Sequence, residues 1–198
     1  MPARSFGQIG WPLCLLCWAA ARPFASGESG RAEADFSIDA DFPGGNIRVL
    51  SVEGDRAVVA PDLRDIQPGK WWFYWSLRFT APAGTRAEIV FRERNPIGVR
   101  GPACSADGGA TWSWMGADSV ASFSLNGKPA WSFEARVPEG AAEIRYSGAI
   151  QYLETHLQAW LARHRGNPAL RVEELCRSRE GRCVELLRAG CLDADKAR

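Results

Sequence analysis

Short stretches of alternating apolar and polar residues recur along residues 35–150, and they restrict the fold more than any other feature. Gly, Pro and Asp recur in the segments between these stretches, which is the pattern of β-strands separated by turns. The predicted strands are Asn46–Val52, Arg56–Ala60, Trp71–Thr80, Ala87–Arg92, Ala121–Leu125, Ala130–Val137 and Ala142–Tyr146. Short strands in this number predict a mainly β fold, an antiparallel β-sandwich of two sheets.

The strongest of these predicted strands is rich in aromatic residues. Because strand side chains alternate between the two faces of a sheet, one face is uniformly apolar and is expected in the core. That face carries Trp71, Phe73, Trp75, Leu77 and Phe79. The other face carries Trp72, Tyr74, Ser76 and Arg78. Loops could cover its two aromatic rings; alternatively, Trp72, Tyr74 and Arg78 contact another domain or a ligand.

The pattern changes after Ile150. Apolar residues recur at helical spacing from Tyr152 to Leu161, and the helix should end near Pro168, because proline disfavours helical conformation in the preceding residue. A turn over residues 178–182 precedes a predicted strand, Cys183–Arg188. A helix and a single strand have no sheet of their own, so residues 151–198 are interpreted as the start of a larger domain.

An apolar stretch near the N-terminus predicts a targeting segment. Arg4 precedes Trp11–Ala21, which has the length of a signal-peptide hydrophobic region and is too short to span a bilayer. Residues 1–26 are therefore predicted to be a signal peptide or an unstructured leader, and residues 27–34 a linker. A signal peptide would send the protein to the periplasm or outside the cell; otherwise the protein is cytoplasmic.

The charge balance argues against nucleic-acid binding. The chain has 24 Lys and Arg residues against 23 Asp and Glu residues, which gives a net charge of +1. Nucleic acid is bound largely by neutralising its phosphates, and this chain has no general excess of positive charge for that purpose.

Four cysteines follow the leader: Cys104, Cys176, Cys183 and Cys191. Export would permit disulfides among them, and the sequence leaves their connectivity open. A chain with this many core residues does not need disulfides, so free thiols are the simpler expectation.

Residues 105–112 read S-A-D-G-G-A-T-W and fit the Asp-box pattern S-x-D-x-G-x-x-W. Such a segment builds a hairpin turn, in which Asp accepts backbone hydrogen bonds, Gly supplies positive φ and Trp packs the turn onto its sheet. A propeller would need the motif to repeat, and it occurs once. A structural role is therefore predicted.

No set of residues with catalytic or metal-binding spacing is evident. His156 and His164 lie eight residues apart on the predicted helix, or about 12 Å, which is too far to bind one metal ion. A catalytic zinc site uses three protein ligands and keeps one open position. The sequence therefore predicts no catalytic residue, metal ligand or cofactor in this chain.

Short motifs follow one another in a fixed order along the chain. They are Phe42–Ile47, Trp72–Trp75, Gly101-Pro102, Ser105, Asp107, Gly109, Trp112–Trp114, Ile150–Tyr152, Leu175, Ser178 and Glu180–Arg182. This ordered set resembles one family, the cytosolic-type zinc carboxypeptidases, in their N-terminal β-sandwich and the beginning of their catalytic domain. The resemblance extends from Asp35 to Gly190.

The resemblance implies an accessory domain over residues 35–150 and a truncated catalytic domain over residues 151–198. The family removes C-terminal residues, often glutamate, using a zinc ion held by a His-x-x-Glu pair and a later His. Because no His-x-x-Glu occurs here, this chain is expected to be inactive alone and to pack beside a carboxypeptidase catalytic domain encoded downstream. The alternative is a secreted carbohydrate-binding or protein-binding β-sandwich module with exposed Trp72, Tyr74 or Trp114.

Overall fold

A computed structural model of the protein describes residues 35–64, 66–67, 69–71 and 73–190. The predicted leader (1–26) and linker (27–34), together with Trp72 and Cys191, lie outside the described residues. The chain divides into two compact units, one extending to Gln151 and the other beginning at Tyr152.

The described part of the first unit contains ten strands in two five-stranded sheets. In chain order the strands are β1 (Ser37–Asp39), β2 (Arg48–Glu53), β3 (Arg56–Ala60), β4 (Ser76–Thr80), β5 (Arg86–Arg92), β6 (Ala103–Ser105), β7 (Ser113–Trp114), β8 (Val120–Leu125), β9 (Lys128–Arg136) and β10 (Glu143–Ser147). One sheet has the order β1-β4-β10-β6-β7 and the other the order β2-β3-β5-β9-β8. A short 3-10 helix, Ala117–Ser119, precedes β8.

Neighbouring strands in both sheets are antiparallel, with one exception. β3 and β5 are parallel, with Val58 opposite Val90, so the wholly antiparallel prediction is wrong at this pair. Between them the chain passes through β4, which belongs to the other sheet. The chain therefore re-enters the sheet of β3 as β5, and β5 runs in the same direction as β3.

Side chains from both sheets form one buried apolar cluster. Trp75, immediately before β4, is fully buried, and its ring centroid lies 4.9 Å from that of Phe91 on β5 and 5.8 Å from that of Phe133 on β9. Its indole Nε1 donates a hydrogen bond of 3.0 Å to the carbonyl of Pro96. Burial of this apolar surface, at roughly 25 cal/mol per Å², is the main force that holds the unit together.

The predicted strand Trp71–Thr80 is only half present. The strand begins at Ser76, and the face predicted to be core is buried at Trp75, Leu77 and Phe79 but not at Phe73, which is 65% exposed. Side chains do not alternate there, because residues 73–75 have no strand partner among the described residues. Instead, the amide Nδ2 of Asn46 donates to the Tyr74 carbonyl at 2.9 Å.

The other six predicted strands are present as β2, β3, β5, β8, β9 and β10, with ends shifted by at most two residues. The sequence does not predict β1, β6 and β7, which have only two or three residues each. Runs this short show no alternation that a sequence pattern could reveal.

The second unit contains a helix, α1 (Glu154–Arg163), and a hairpin of β11 (Leu170–Arg177) and β12 (Cys183–Ala189). The prediction of a lone strand is therefore wrong, because β12 pairs antiparallel with β11. A register shift between Glu174 and Cys176 interrupts the alternation of β11, which hid this strand in the sequence. Among its described residues, 152–190, none is buried. Over the described part of the whole chain, no helix is long and apolar enough to cross a membrane.

Candidate functional site

The residues before Trp75 form a partly exposed aromatic segment, here defined as residues 71, 73 and 74. The rings of Trp71 and Phe73 meet edge to face with centroids 4.4 Å apart. The guanidinium of Arg94 lies 5.2 Å from the centroid of the Trp71 ring, within the range of a cation–π contact. Phe73 and Tyr74 are both exposed, so this segment presents a large apolar area to its surroundings.

Tyr74 is the polar centre of the aromatic segment. Its hydroxyl donates to the carbonyl of Gly44, and the side-chain Nε2 of Gln151 donates to both the Tyr74 oxygen and the Gly44 carbonyl, each at 2.9 Å. Burial raises the pKa of Tyr74, although the hydrogen bond from Gln151 acts in the opposite direction. These hydrogen bonds join three parts of the first unit: the turn at Gly44, the aromatic segment and Gln151, the last residue of the unit.

The turn that carries Gly44 needs a glycine at the next position. A Cβ on Gly45 would lie 2.1 Å from the carbonyl oxygen of Ala40, which is closer than any side chain can approach. The backbone N–H of Gly45 donates to the Phe42 carbonyl at 2.9 Å and closes the turn. The turn therefore packs tightly against the backbone of Ala40. This packing holds the Gly44 carbonyl where it accepts the hydrogen bond from the Tyr74 hydroxyl.

Arg78 on β4 is held within the first unit by carboxylates. Its Nε and Nη2 donate to the two oxygens of Asp39, at 2.9 and 2.8 Å, and its Nη1 lies 3.8 Å from Glu143. The hydrogen bonds with Asp39 raise the pKa of Arg78. A bidentate arginine–carboxylate pair of this kind fixes the orientation of both side chains.

The Asp-box turn connects β6 to β7 and is held by its own hydrogen bonds. Asp107 accepts from the Ser105 hydroxyl at 2.8 Å, from the Thr111 N–H at 2.9 Å and from the Thr111 hydroxyl at 2.6 Å. The Trp112 indole donates to the Gly109 carbonyl at 3.0 Å. Burial opposes charge on Asp107, but the hydrogen bonds from Thr111 and Ser105 outweigh it and lower its pKa. These contacts agree with the structural role predicted for the motif.

The predicted contact residues have different environments. Tyr74 contacts Gly44 and Gln151, Arg78 contacts Asp39, and Trp72 lies outside the described residues. The sequence does not predict Phe73 and Gln151 as contact residues. Phe73 was assigned to the core by alternation, and nothing in the sequence pairs Gln151 with a tyrosine 77 residues away.

In the second unit, both histidines have local structural contacts. The Nδ1 of His156 accepts a hydrogen bond of 2.9 Å from the Leu153 N–H at the start of α1. The ring of His164 stacks on Trp160 with centroids 4.2 Å apart. Within the described ranges, no group of three or more His, Cys, Asp or Glu side chains could hold a metal ion.

A groove of about 540 Å³ lies in the second unit between the start of α1 and the β11–β12 turn. It is lined by charged residues of both signs, including Glu154, Arg182 and Glu185, and by the Cys183 thiol. Desolvation and the neighbouring carboxylates of Glu174 and Glu185 raise the pKa of the exposed Cys183 thiol, which disfavours the nucleophilic thiolate. The Cys183 thiol is therefore not an activated nucleophile.

The chain is similar in structure to metallo-carboxypeptidases. It matches a metallo-carboxypeptidase from Burkholderia cenocepacia with a TM-score of 0.63 and 25% identity, over 82% of this chain and 42% of that one. A protein named as a carboxypeptidase from Burkholderia mallei matches with a TM-score of 0.62 and 25% identity, over 82% and 41%. One from Shewanella denitrificans, named as a carboxypeptidase A, has a TM-score of 0.60 and 20% identity, over 79% and 40%.

No protein-family model and no curated protein matches the chain. The chain spans about two fifths of the length of these carboxypeptidases. The structural similarity is therefore to metallo-carboxypeptidases, and it concerns one part of those larger proteins.

Proposed function

We propose that this chain is the accessory region of a metallocarboxypeptidase-like protein. Residues 35–150 would form its β-sandwich domain, and residues 151–198 the beginning of its catalytic domain. The observation that carries the proposal is the match to metallo-carboxypeptidases over 82% of this chain but only 42% of the larger protein. Its role is to pack beside the catalytic domain and shape access to the active site.

The shared core of the two sheets supports a sandwich. Trp75 contacts Phe91 and Phe133 of the other sheet, and Phe133 also contacts Tyr146 on β10 at a ring distance of 5.1 Å. Contacts of this kind between inner faces are what a sandwich requires.

The aromatic segment supports an interdomain contact. Phe73 is exposed, and the neighbouring Tyr74 is hydrogen-bonded to Gln151, the last residue of the first unit. We place the contact with the catalytic domain at Trp72, Tyr74 and Arg78, as the sequence predicts, and add Phe73. Burying an aromatic side chain there would remove roughly 150–250 Å² from water.

The second unit supports the same proposal. Val172, Leu175, Val184 and Leu187 on the hairpin are exposed. A two-stranded hairpin is at best marginally stable alone and needs further strands or a helix against its apolar side. The sheet of a catalytic domain would provide them.

The zinc ion of the resembled family would be bound by the remainder of the catalytic domain. The described residues do not fit it, because both histidines already have local contacts and no cluster of ligands is present among them. No catalytic step is therefore assigned to residues of this chain.

The experiment is purification from the native host with an antibody raised against residues 35–150. Mass spectrometry of the purified species should find peptides of a carboxypeptidase catalytic domain with its His-x-x-Glu pair, in the same chain or in a bound one. A purified species without such sequences would contradict the proposal. If that species is also retained on a polysaccharide column, and Phe73→Ser abolishes retention while Val99→Ser does not, a carbohydrate-binding module would replace it.

A further inference from the structure

The β2 strand lies at the edge of its sheet and exposes apolar side chains. Among the strands of the described residues, its only neighbour is β3, on one side. Val49, Leu50 and Val52 are 40%, 45% and 42% exposed. An exposed apolar edge strand readily pairs with another strand, because its outer backbone groups have no strand partner.

The same strand carries one charge of each sign at its two ends. Arg48 begins β2 and Glu53 ends it, and neither makes an ion pair with any of the described residues. Other charged residues of this sheet are paired, for example Arg56 with Glu88 and Arg86 with Glu134. The two unpaired charges thus lie at opposite ends of a single edge.

The register of β2 makes this edge complementary to itself. Val49 and Val52 lie opposite the buried Val59 and Ala57 of β3, so both point to the core side of the sheet. Arg48 and Glu53 lie opposite Ala60 and Arg56, on the other side. If two copies of β2 pair antiparallel about a two-fold axis, Arg48 of each copy lies opposite Glu53 of the other. Val49 of each then lies opposite Val52 of the other.

We infer that the chain forms a two-fold symmetric dimer through β2, with a second copy of itself as the partner. The pairing joins the two five-stranded sheets into one continuous sheet. It makes two ion pairs on one face and brings the exposed valines together on the other. Cross-strand pairs of opposite charge stabilise antiparallel strands, and contact between the valines removes apolar surface from water. The register between β2 and β3 shifts between Val49 and Ser51, so Leu50 is an extra residue that forms a bulge. In the dimer, Leu50 and Ser51 lie at the two-fold axis, and the bulges of the two β2 strands face each other.

The first test is the molar mass of the full chain by light scattering and sedimentation. The expected species has twice the monomer mass of 21.7 kDa. Arg48→Glu places glutamates opposite each other twice in the dimer, and should raise the dissociation constant at least about tenfold. The matched control is Arg165→Glu, which makes the same charge change at an exposed residue outside the edge and should leave the mass unchanged.

The second test restores pairing between two variants. Glu53→Arg alone should also weaken the dimer, with Glu139→Arg as its control. An equal mixture of Arg48→Glu and Glu53→Arg should form a heterodimer, because each charge then meets its opposite. Melting temperatures close to that of the unmodified chain verify folding, and Arg48→Glu alone decides the matter if Glu53→Arg does not fold. A monomeric unmodified chain, or a dimer that Arg48→Glu leaves as tight as before, would overturn the inference.

Discussion

The phenol oxygen of Tyr74 and the side-chain amide of Gln151 lie 2.9 Å apart although 77 residues separate them in the chain. Both also bond to the carbonyl of Gly44. This network joins the turn before β2, the aromatic segment and the end of the first unit. It thereby fixes the place where the chain leaves that unit.

Replacing Tyr74 by Phe tests the contribution of this network to stability. The change removes the hydroxyl and leaves Gln151, which is 8% exposed, with one fewer partner. We expect the free energy of unfolding to fall by about 1–2 kcal/mol, measured by urea denaturation. Tyr152→Phe is the control, since Tyr152 is 67% exposed, and it should change stability by less than about 0.5 kcal/mol.

Two phenylalanines that the sequence places on the same strand face should behave differently. Phe79 is fully buried and its ring contacts that of Phe36 at 5.2 Å, so Phe79→Ala should cost about 3–5 kcal/mol of folding free energy. Phe73→Ala removes an exposed ring and should cost less than about 0.5 kcal/mol. Equal losses for the two variants, in the same denaturation experiment, would mean that the strand extends back to Trp71.

Asp107 should make the stability of the first unit depend on pH. The pKa of Asp107 is lower in the folded state than in the unfolded state, where it is about 4. At a pH above the unfolded-state pKa, the ionised carboxylate therefore stabilises the fold. This stabilisation is lost as the pH falls through the lower folded-state pKa. The stability difference between the unmodified chain and Asp107→Asn should therefore be largest near neutral pH and shrink in acid. Asp118→Asn is the control, and a difference that grows towards acid pH would contradict the assignment.

Hydrogen exchange should separate the two units. The amides of Leu77 and Phe79 belong to a central strand over buried side chains and should exchange slowly. Those of β12 are paired with β11, but no residue of the second unit is buried among those described, so local opening is easy and exchange should be faster. Similar protection of β4 and β12 would show that the second unit has a stable core of its own.

In the first unit, alternation located the strands of five or more residues, because it reports a physical difference between the two faces of a sheet. The same rule failed at Phe73, because side chains alternate faces only while the backbone remains in the sheet, and it enters the sheet at Ser76. The parallel pairing of β3 and β5 depends on the excursion through β4, which is a property of the whole topology.

Less of the candidate site than of the fold could be predicted from the sequence. Asp107 and its turn were found because the chemistry is local, within eight residues. The contacts of Tyr74 with Gly44 and Gln151, and of Arg78 with Asp39, bridge 30 or more residues and follow from packing. No local pattern encodes such pairs, so only the general character of the surface could be predicted.

The proposed function is tested most directly by measuring carboxypeptidase activity in the native species that the antibody against residues 35–150 purifies. We expect release of C-terminal residues from peptides, loss of that release with a metal chelator, and recovery on adding zinc. The 198-residue chain purified alone should show no release under the same conditions. The proposal would be contradicted if this chain alone released C-terminal residues in a chelator-sensitive way. It would also be contradicted if the native species released none.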